Sequence, residues 1–230
     1  MNIQNDLKDL KTRALVLRRT NYGECDRILN LITPVGKVAA MAKGVRKEKS
    51  KLAGSVEMFT LTEVNLHFGK TNGMATLTGA KMQCFYSEIL KDFARLELAS
   101  DFLKKINRVS DSVDSPEHFE ILNKCLIALN SGMNMGLVNA WFLLNLARVM
   151  GEQVNLYTDV DGVRLDAECR YAWDGTEKSL RKFEDGEVDA NAIKIMRLMW
   201  TTDLDTVGRI KNVGEYVPVV LTIAKAVNNL

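Results

Sequence analysis

The chain has 230 residues, 47% of them hydrophobic and 26% charged, with a formal net charge of only +2. This balance fits one large or two smaller globular domains and excludes a low-complexity or highly charged disordered chain. No apolar run approaches the roughly eighteen residues of a spanning helix, and the start, MNIQNDLKDLK, lacks the apolar stretch of a signal peptide. The sequence thus predicts a cytoplasmic protein with no membrane segment.

The first 86 residues read as short strands. Thr12–Arg19 (TRALVLRR) and Asp26–Thr33 (DRILNLIT) are apolar-rich, with the turn signal Asn21, Tyr22, Gly23 between them. Thr33 to Gly36 (TPVG) is a second turn, after which Lys37–Lys43 alternates charged and small apolar residues. Met58–Phe68 and Met74–Cys84 are rich in Thr, Val, Leu and Phe, and Lys70–Gly73 (KTNG) joins them as a hairpin in which Asn-Gly supplies positive φ. Five strands with a long connection between the third and fourth fit a small closed barrel, which removes exposed edges. An OB-fold has this strand count; other small barrels and an α+β sheet fit it too.

From Ser87 onward the apolar period changes. Ile89, Phe93, Leu96, Ala99, Leu103 and Ile106 step by three or four, as one face of a helix does. Ser115, Pro116 and Glu117 make a helix start, a cap followed by proline and an acid. That helix carries Phe119, Leu122, Leu126 and Leu129 and ends near Gly132. Leu137, Trp141, Leu144 and Ala147 form the next face, which ends at Gly151. Ala190–Trp200 and Val217–Asn228 also read as helices, the latter only if Pro218 lies in its first turn. Tyr157–Gly186 is polar and rich in Asp and Gly, and reads as a loop or small β excursion.

Charge is unevenly spread. Residues 1–86 carry 14 Lys and Arg against 7 Asp and Glu, a net +7; residues 87–230 carry 17 against 22, a net −5. The first part alone is therefore suited to an anionic partner. Its densest stretch is Lys43–Lys51 (KGVRKEKSK), where Lys43, Arg46, Lys47, Lys49 and Lys51 face a single acid, Glu48. Such a cluster can neutralise phosphates and release counterions; the plain alternative is a solvated loop that binds nothing. The basic excess of the whole N-terminal part favours nucleic acid, and Lys37 on the preceding strand joins the candidate DNA contacts. Among the aromatics Tyr22, Phe59, Phe68 and Phe85, Phe59 and Phe68 are expected in the core, while Tyr22, in a turn, is the better candidate for exposure and for stacking on bases. Asp26 and Arg27 follow that turn, and we expect a scaffolding role, with Asp26 or Glu24 holding a turn amide or Arg27.

Catalytic signatures are absent from the sequence. His67 falls on a strand as a half-buried structural residue, and His118 in the first turn of a helix is expected on the surface. No nucleophile–histidine spacing, P-loop or G-x-G-x-x-G occurs. Cys25, Cys84, Cys125 and Cys169 are scattered and fit reduced thiols, with no metal-clip spacing. Asp159, Asp161, Asp166 and Glu168 could hold a divalent cation but lack the EF-hand pattern, and a solvated acidic loop is the favoured reading. We expect no catalytic residue, no cofactor and no metal.

Two stretches carry a family resemblance. Ala14–Arg27 (ALVLRRTNYGECDR) followed by Ile28 and Leu29, and Gly36–Phe59 (GKVAAMAKGVRKEKSKLAGSVEMF), resemble the start of the DNA repair protein RecO family. The resemblance covers roughly residues 12–105 in detail and the remainder in architecture. It implies an α+β multidomain protein: an N-terminal five-stranded OB-fold β-barrel over 1–86, then an all-α helical domain over 87–230 with an irregular insertion near 157–186. It further implies binding to single- and double-stranded DNA, annealing of complementary strands, help in loading a recombinase, and two protein partners. These are RecR and the acidic tail of the single-strand DNA-binding protein. Many family members carry a four-cysteine zinc site after the helix that ends here near Gly151. This chain has Thr158 and Asp161 near the first pair and only Cys169 near the second, so zinc is not expected. That loop is then held by packing, with Tyr157, Tyr171 and Trp173 as candidates, or else is mobile. A partner tail ending in phenylalanine needs an apolar slot and a cation, for which Lys104, Lys105, Arg108 and Arg148 are candidates. The rival readings are a protein-interaction adaptor whose basic loop is merely solvated, and a metal-dependent enzyme using the acidic loop.

Overall fold

The computed structural model describes residues 8–69, 73–152 and 154–228. The chain divides into two compact units, one reaching to Asn130 and one starting at Ser131. Secondary structure changes from strand to helix near residue 86, as expected, yet the first compact unit continues through two further helices.

In the first unit β1 (Asp9–Tyr22), β2 (Asp26–Thr33), β3 (Gly36–Ala42), β4 (Thr60–Phe68) and β5 (Ala75–Phe85) close into a barrel of order β1-β2-β3-β5-β4. The β3–β5 pairing is parallel and short, through Ala40 with Ala75 and Met41 with Thr76; the other neighbours are antiparallel. Closure leaves no unpaired edge to template another chain. Ala14 and Val16 of β1, Leu29 and Leu31 of β2, Val38, Ala40 and Ala42 of β3 and Val64 and Leu66 of β4 fill the interior in alternation. A bulge between Val16 and Arg18 then shifts the alternation of β1 by one residue. Thereafter Arg19 lies opposite Leu29 and Asn21 opposite Arg27, in line with the interior row of β2. Of the expected KTNG hairpin, Lys70, Thr71 and Asn72 lie outside the described residues; Gly73 has φ +60°.

Helix α1 (Phe93–Val109) starts on Asp92, whose carboxylate accepts the Ala94 and Arg95 amides, and α2 (Glu117–Asn130) follows. Both dock on the barrel within this unit. The Tyr86 hydroxyl donates to Asn123 Oδ1 at 2.8 Å, and the Arg13 guanidinium lies 5.2 Å from the Phe119 ring centre. His118 corrects an expectation: it is fully buried, its Nδ1 is 3.2 Å from Ser110 Oγ, and burial pushes its pKa down. Within the first turn of α2, His118 and Phe119 face protein while Glu117 and Glu120 face water. Phe93 is corrected in the other direction, since it begins α1 as the most exposed large apolar side chain among the described residues. His67 is likewise more exposed than expected, its Nδ1 2.8 Å from Asp9 across the β1–β4 pair.

In the second unit α3 (Met135–Val149) is buried almost all round, from Leu137 to Ala147. It packs with α4 (Ala190–Thr201), the short α5 (Leu204–Gly208) and α6 (Val213–Val227). Asn145 Nδ2 ties α3 to the Met199 carbonyl of α4 at 2.9 Å. Helix α6 begins before the expected Val217, so Pro218 lies beyond the first turn. The proline ring meets the carbonyl four residues back, which here belongs to Gly214. Between α3 and α4 lies the expected small β excursion, β6 (Tyr171–Asp174) paired with β7 (Ser179–Lys182). Tyr171 is buried and Trp173 half-buried, as the packing expectation requires. Tyr157 is mostly exposed and is held by the Arg197 guanidinium, 4.9 Å from its ring centre.

Candidate nucleic-acid interface

The connection between β3 and β4 carries the basic cluster, and it is better anchored than its Gly, Ser and Lys composition implies. Val45 and Val56 are buried in the barrel core, and Leu52 and Ala53 pack against it. Gly44 takes φ +63°, and its amide donates to Asp26 Oδ1 at 2.6 Å. The Arg46 amide donates to the Cys25 carbonyl at 2.8 Å and its guanidinium to the Gly23 carbonyl at 3.3 Å. Asp26 is therefore a scaffold residue, as expected, but the amide it holds belongs to the basic loop and not to its own turn. The loop is laced to the β1–β2 turn; Tyr22 is exposed as expected, but it ends β1 opposite Asp26 and does not lie in the turn itself.

From this frame Lys43, Arg46, Lys47, Lys49 and Lys51 all reach solvent. None of the five makes an ion pair with any described residue. Glu48, exposed among them, pairs with none of them. Lys37 stands apart from this group. Its ammonium donates to the Asn107 carbonyl at 2.7 Å and sits 2.6 Å from Asp111 Oδ1, with only 15% of the side chain exposed. It fastens β3 to α1, a role that only the fold reveals.

A second cationic group is not visible in the sequence as a unit. Arg19 and Arg27 converge on Glu57, one arginine to each carboxylate oxygen, Arg19 Nη1 on Oε2 and Arg27 Nη1 on Oε1 at 3.3 Å. Arg27 Nε also donates to Asn21 Oδ1 at 3.3 Å. Arg18, on the other side of β1, is exposed and has no ion pair among the described residues. The sequence shows two arginines in succession but not which of them faces the mouth of the barrel, because the β1 bulge sets that.

The alternative candidates for the cation of a partner-tail site are divided between the two units. Lys104, Lys105 and Arg108 lie on α1 in the first unit, Lys104 and Arg108 exposed and Lys105 3.8 Å from Asp101. Arg148 lies near the end of α3 in the second. That unit has a cavity of about 280 Å³ lined by Trp173, Phe183, Val188 and Ile223 with Asp185 and Glu187. No lysine or arginine lines it, so a terminal carboxylate entering it would meet like charge. In the acidic loop, Asp159 Oδ1 accepts the Asp161 and Val163 amides and Asp166 Oδ1 the Glu168 amide. These carboxylates shape turns, and no group of three candidate metal ligands assembles among the described residues. All four cysteines are free thiols, Cys125 buried with its pKa pushed up by desolvation.

The class defined by these features is a small closed β-barrel with an unpaired cationic loop on one rim, continued by helices. Residues 7–85 match the family model described as recombination protein O N terminal. Over 223 residues the chain is 27% identical to a DNA repair protein RecO of Dehalococcoides mccartyi, covering 88% of this chain and 83% of that relative. It is 34% identical over 143 residues to a DNA repair protein RecO of Exiguobacterium, covering 61% of this chain and 57% of that relative. A DNA repair protein RecO of Roseiflexus is 30% identical over 148 residues, 64% of this chain and 52% of the relative. Its N-terminal part thus matches the RecO N-terminal model, and most of the chain is similar to proteins named DNA repair protein RecO.

Proposed function

We propose that this chain is a RecO-like mediator of DNA repair and recombination that binds DNA through an OB-fold barrel and acts without chemical turnover. In this reading it binds single- and double-stranded DNA, anneals complementary strands, and assists recombinase loading together with a RecR partner in the cytoplasm. The observation that carries it is the set Lys43, Arg46, Lys47, Lys49 and Lys51, free of ion pairs among the described residues and held on a loop anchored by Val45, Val56 and Asp26. Pre-positioned cations lose less conformational freedom on meeting phosphates than a mobile tail does. A merely solvated loop would need neither buried anchors nor a carboxylate at its root. The barrel order β1-β2-β3-β5-β4 supports the OB-fold assignment. The tail of a single-strand DNA-binding protein remains a proposed partner. The exposed pair Lys104 and Arg108, four apart on α1, suits its terminal carboxylate better than the acid-rimmed cavity of the second unit does.

The test is a binding titration of a fluorescent single-stranded oligonucleotide over a salt series, with Arg46, Lys47 and Lys49 replaced together by Glu. Affinity should fall alike for all sequences, and the slope of log K against log salt should shrink by roughly 0.7 for each phosphate that is no longer neutralised. A folded triple variant with unchanged affinity and slope would reject the loop as the interface and leave the adaptor reading in its place. Annealing of complementary strands coated with single-strand DNA-binding protein then separates a mediator from a simple binder.

A further inference from the structure

The Arg19–Glu57–Arg27 cluster calls for an explanation that the basic loop does not provide. Two guanidiniums share one carboxylate, so the group keeps a net charge of +1. The arginines come from β1 and β2 at the barrel mouth, where the bulge in β1 has turned Arg19 into line with the interior residue Leu29. Their side chains are only 27% and 23% exposed, whereas Glu57 is 41% exposed. Glu57 is thus the most exposed of the three side chains. Arg27 is pre-oriented by Asn21, and the Glu57 backbone is fixed between buried Val56 and a bond from the Thr60 hydroxyl to the Glu57 carbonyl at 2.7 Å. The Glu57 side chain has no hydrogen bond besides those to the two arginines among the described residues. It belongs to the same connection as the basic loop, and the residue next to Arg27, Asp26, holds that loop at Gly44.

We infer that Arg19 and Arg27 form a seat for one backbone phosphate of bound nucleic acid, which Glu57 occupies in the free protein. A carboxylate and a phosphodiester both offer two oxygens to a guanidinium, so one can replace the other on the same two arginines. The exchange leaves neither arginine unpaired, because the phosphate arrives as Glu57 turns out to water. Glu57 then acts as a built-in competitor. It keeps two half-buried guanidiniums satisfied when no strand is present and sets a threshold on affinity. The inference rests on the nucleic-acid reading of the loop, and the experiment separates the two.

The experiment is Glu57→Gln in the full chain, titrated with a 20-nucleotide single strand over the same salt series, beside the wild type and the triple loop variant. Removal of the competitor should tighten binding about three- to tenfold at low salt, because the phosphate no longer has a carboxylate to displace from the two arginines. Unchanged or weaker binding, with thermal unfolding like that of the wild type, overturns the seat. If the wild type binds and the loop variant does not while Glu57→Gln behaves as wild type, the seat alone falls. If the wild type fails to bind at any salt, both readings fall. Should Glu57→Gln not fold, the wild type itself decides. On titration with the same oligonucleotide, the side-chain Nε signals of Arg19 and Arg27 and the Glu57 carboxyl signal should shift together and saturate with binding. Signals that stay in place at saturation would show a purely structural ion cluster.

Discussion

Asp26 places one carboxylate 2.6 Å from the Gly44 amide and so ties the root of the basic loop to β2. A hydrogen bond to a charged acceptor contributes about 1.5–3 kcal/mol. Asp26→Ala should therefore lower the unfolding temperature measurably and weaken DNA binding only as the loop loses its pose. A variant that melts like the wild type yet no longer binds would instead make Asp26 part of the interface. Its neighbour Arg27 is visible in the sequence as part of the same motif, but its partner Glu57, thirty residues on, is not, because no local pattern links them. His118 has a different consequence. Burial holds its imidazole below the usual value of about 6.5, with Asp114 and Glu117 opposing the shift in part. The unfolded chain then takes up a proton at higher pH than the folded one, so this contribution to stability is present above about pH 6.5 and is lost as the pH falls. Between about pH 7.5 and 5.5 the wild type should lose more thermal stability than His118→Gln. Parallel losses in the two proteins would show that His118 is not the group responsible.

At the scale of elements, the strands are legible because their alternation matches the pleat, and α2, α3 and α4 because their apolar steps match a helical turn. The basic loop is legible in charge but not in its fixed conformation. Val45 is an isolated apolar residue in a polar run and Val56 lies in an aperiodic stretch, so nothing local marks them as core. Val56→Ala should cost about 2 kcal/mol and loosen the loop, giving weaker DNA binding with the cations intact. Unaltered affinity would show that the loop needs no anchor. Helix α5 escapes sequence reading because five residues carry too few apolar steps to show a period. Helix α6 starts earlier than the sequence suggests because proline is usually a start signal. Gly186 also hides its reason in tertiary contact. A β-carbon there would lie 2.3 Å from the Tyr171 carbonyl oxygen, so Gly186→Ala must push β6 away. Its thermal unfolding should fall by more than that of a surface alanine substitution, and an unshifted melting curve would contradict this packing.

For the whole molecule, the division at Asn130 changes which pieces should be stable alone. Residues 1–130 carry 20 Lys and Arg against 15 Asp and Glu, a net +5, and residues 131–230 carry 11 against 14, a net −3. The basic and acidic parts therefore persist at this boundary, and attraction to phosphate belongs to the first. A cut after residue 86 would remove α1 and α2 from the barrel. It would part Tyr86 from Asn123, Arg13 from Phe119 and Glu120, and Lys37 from Asn107 and Asp111. Buried Tyr86 would be exposed and its hydroxyl left without its partner. The fragment of residues 1–130 should accordingly unfold cooperatively and bind a single strand within about threefold of the full chain, since its phosphate contacts are complete. The fragment of residues 1–86 should melt at a lower temperature or aggregate, and residues 131–230 should show no salt-dependent DNA binding. Calorimetry and the same oligonucleotide titration on the three fragments decide this. If residues 1–86 alone match the stability of residues 1–130, α1 and α2 are an appendage to the barrel. If residues 131–230 bind the strand comparably, the assignment of DNA to the barrel rim is wrong.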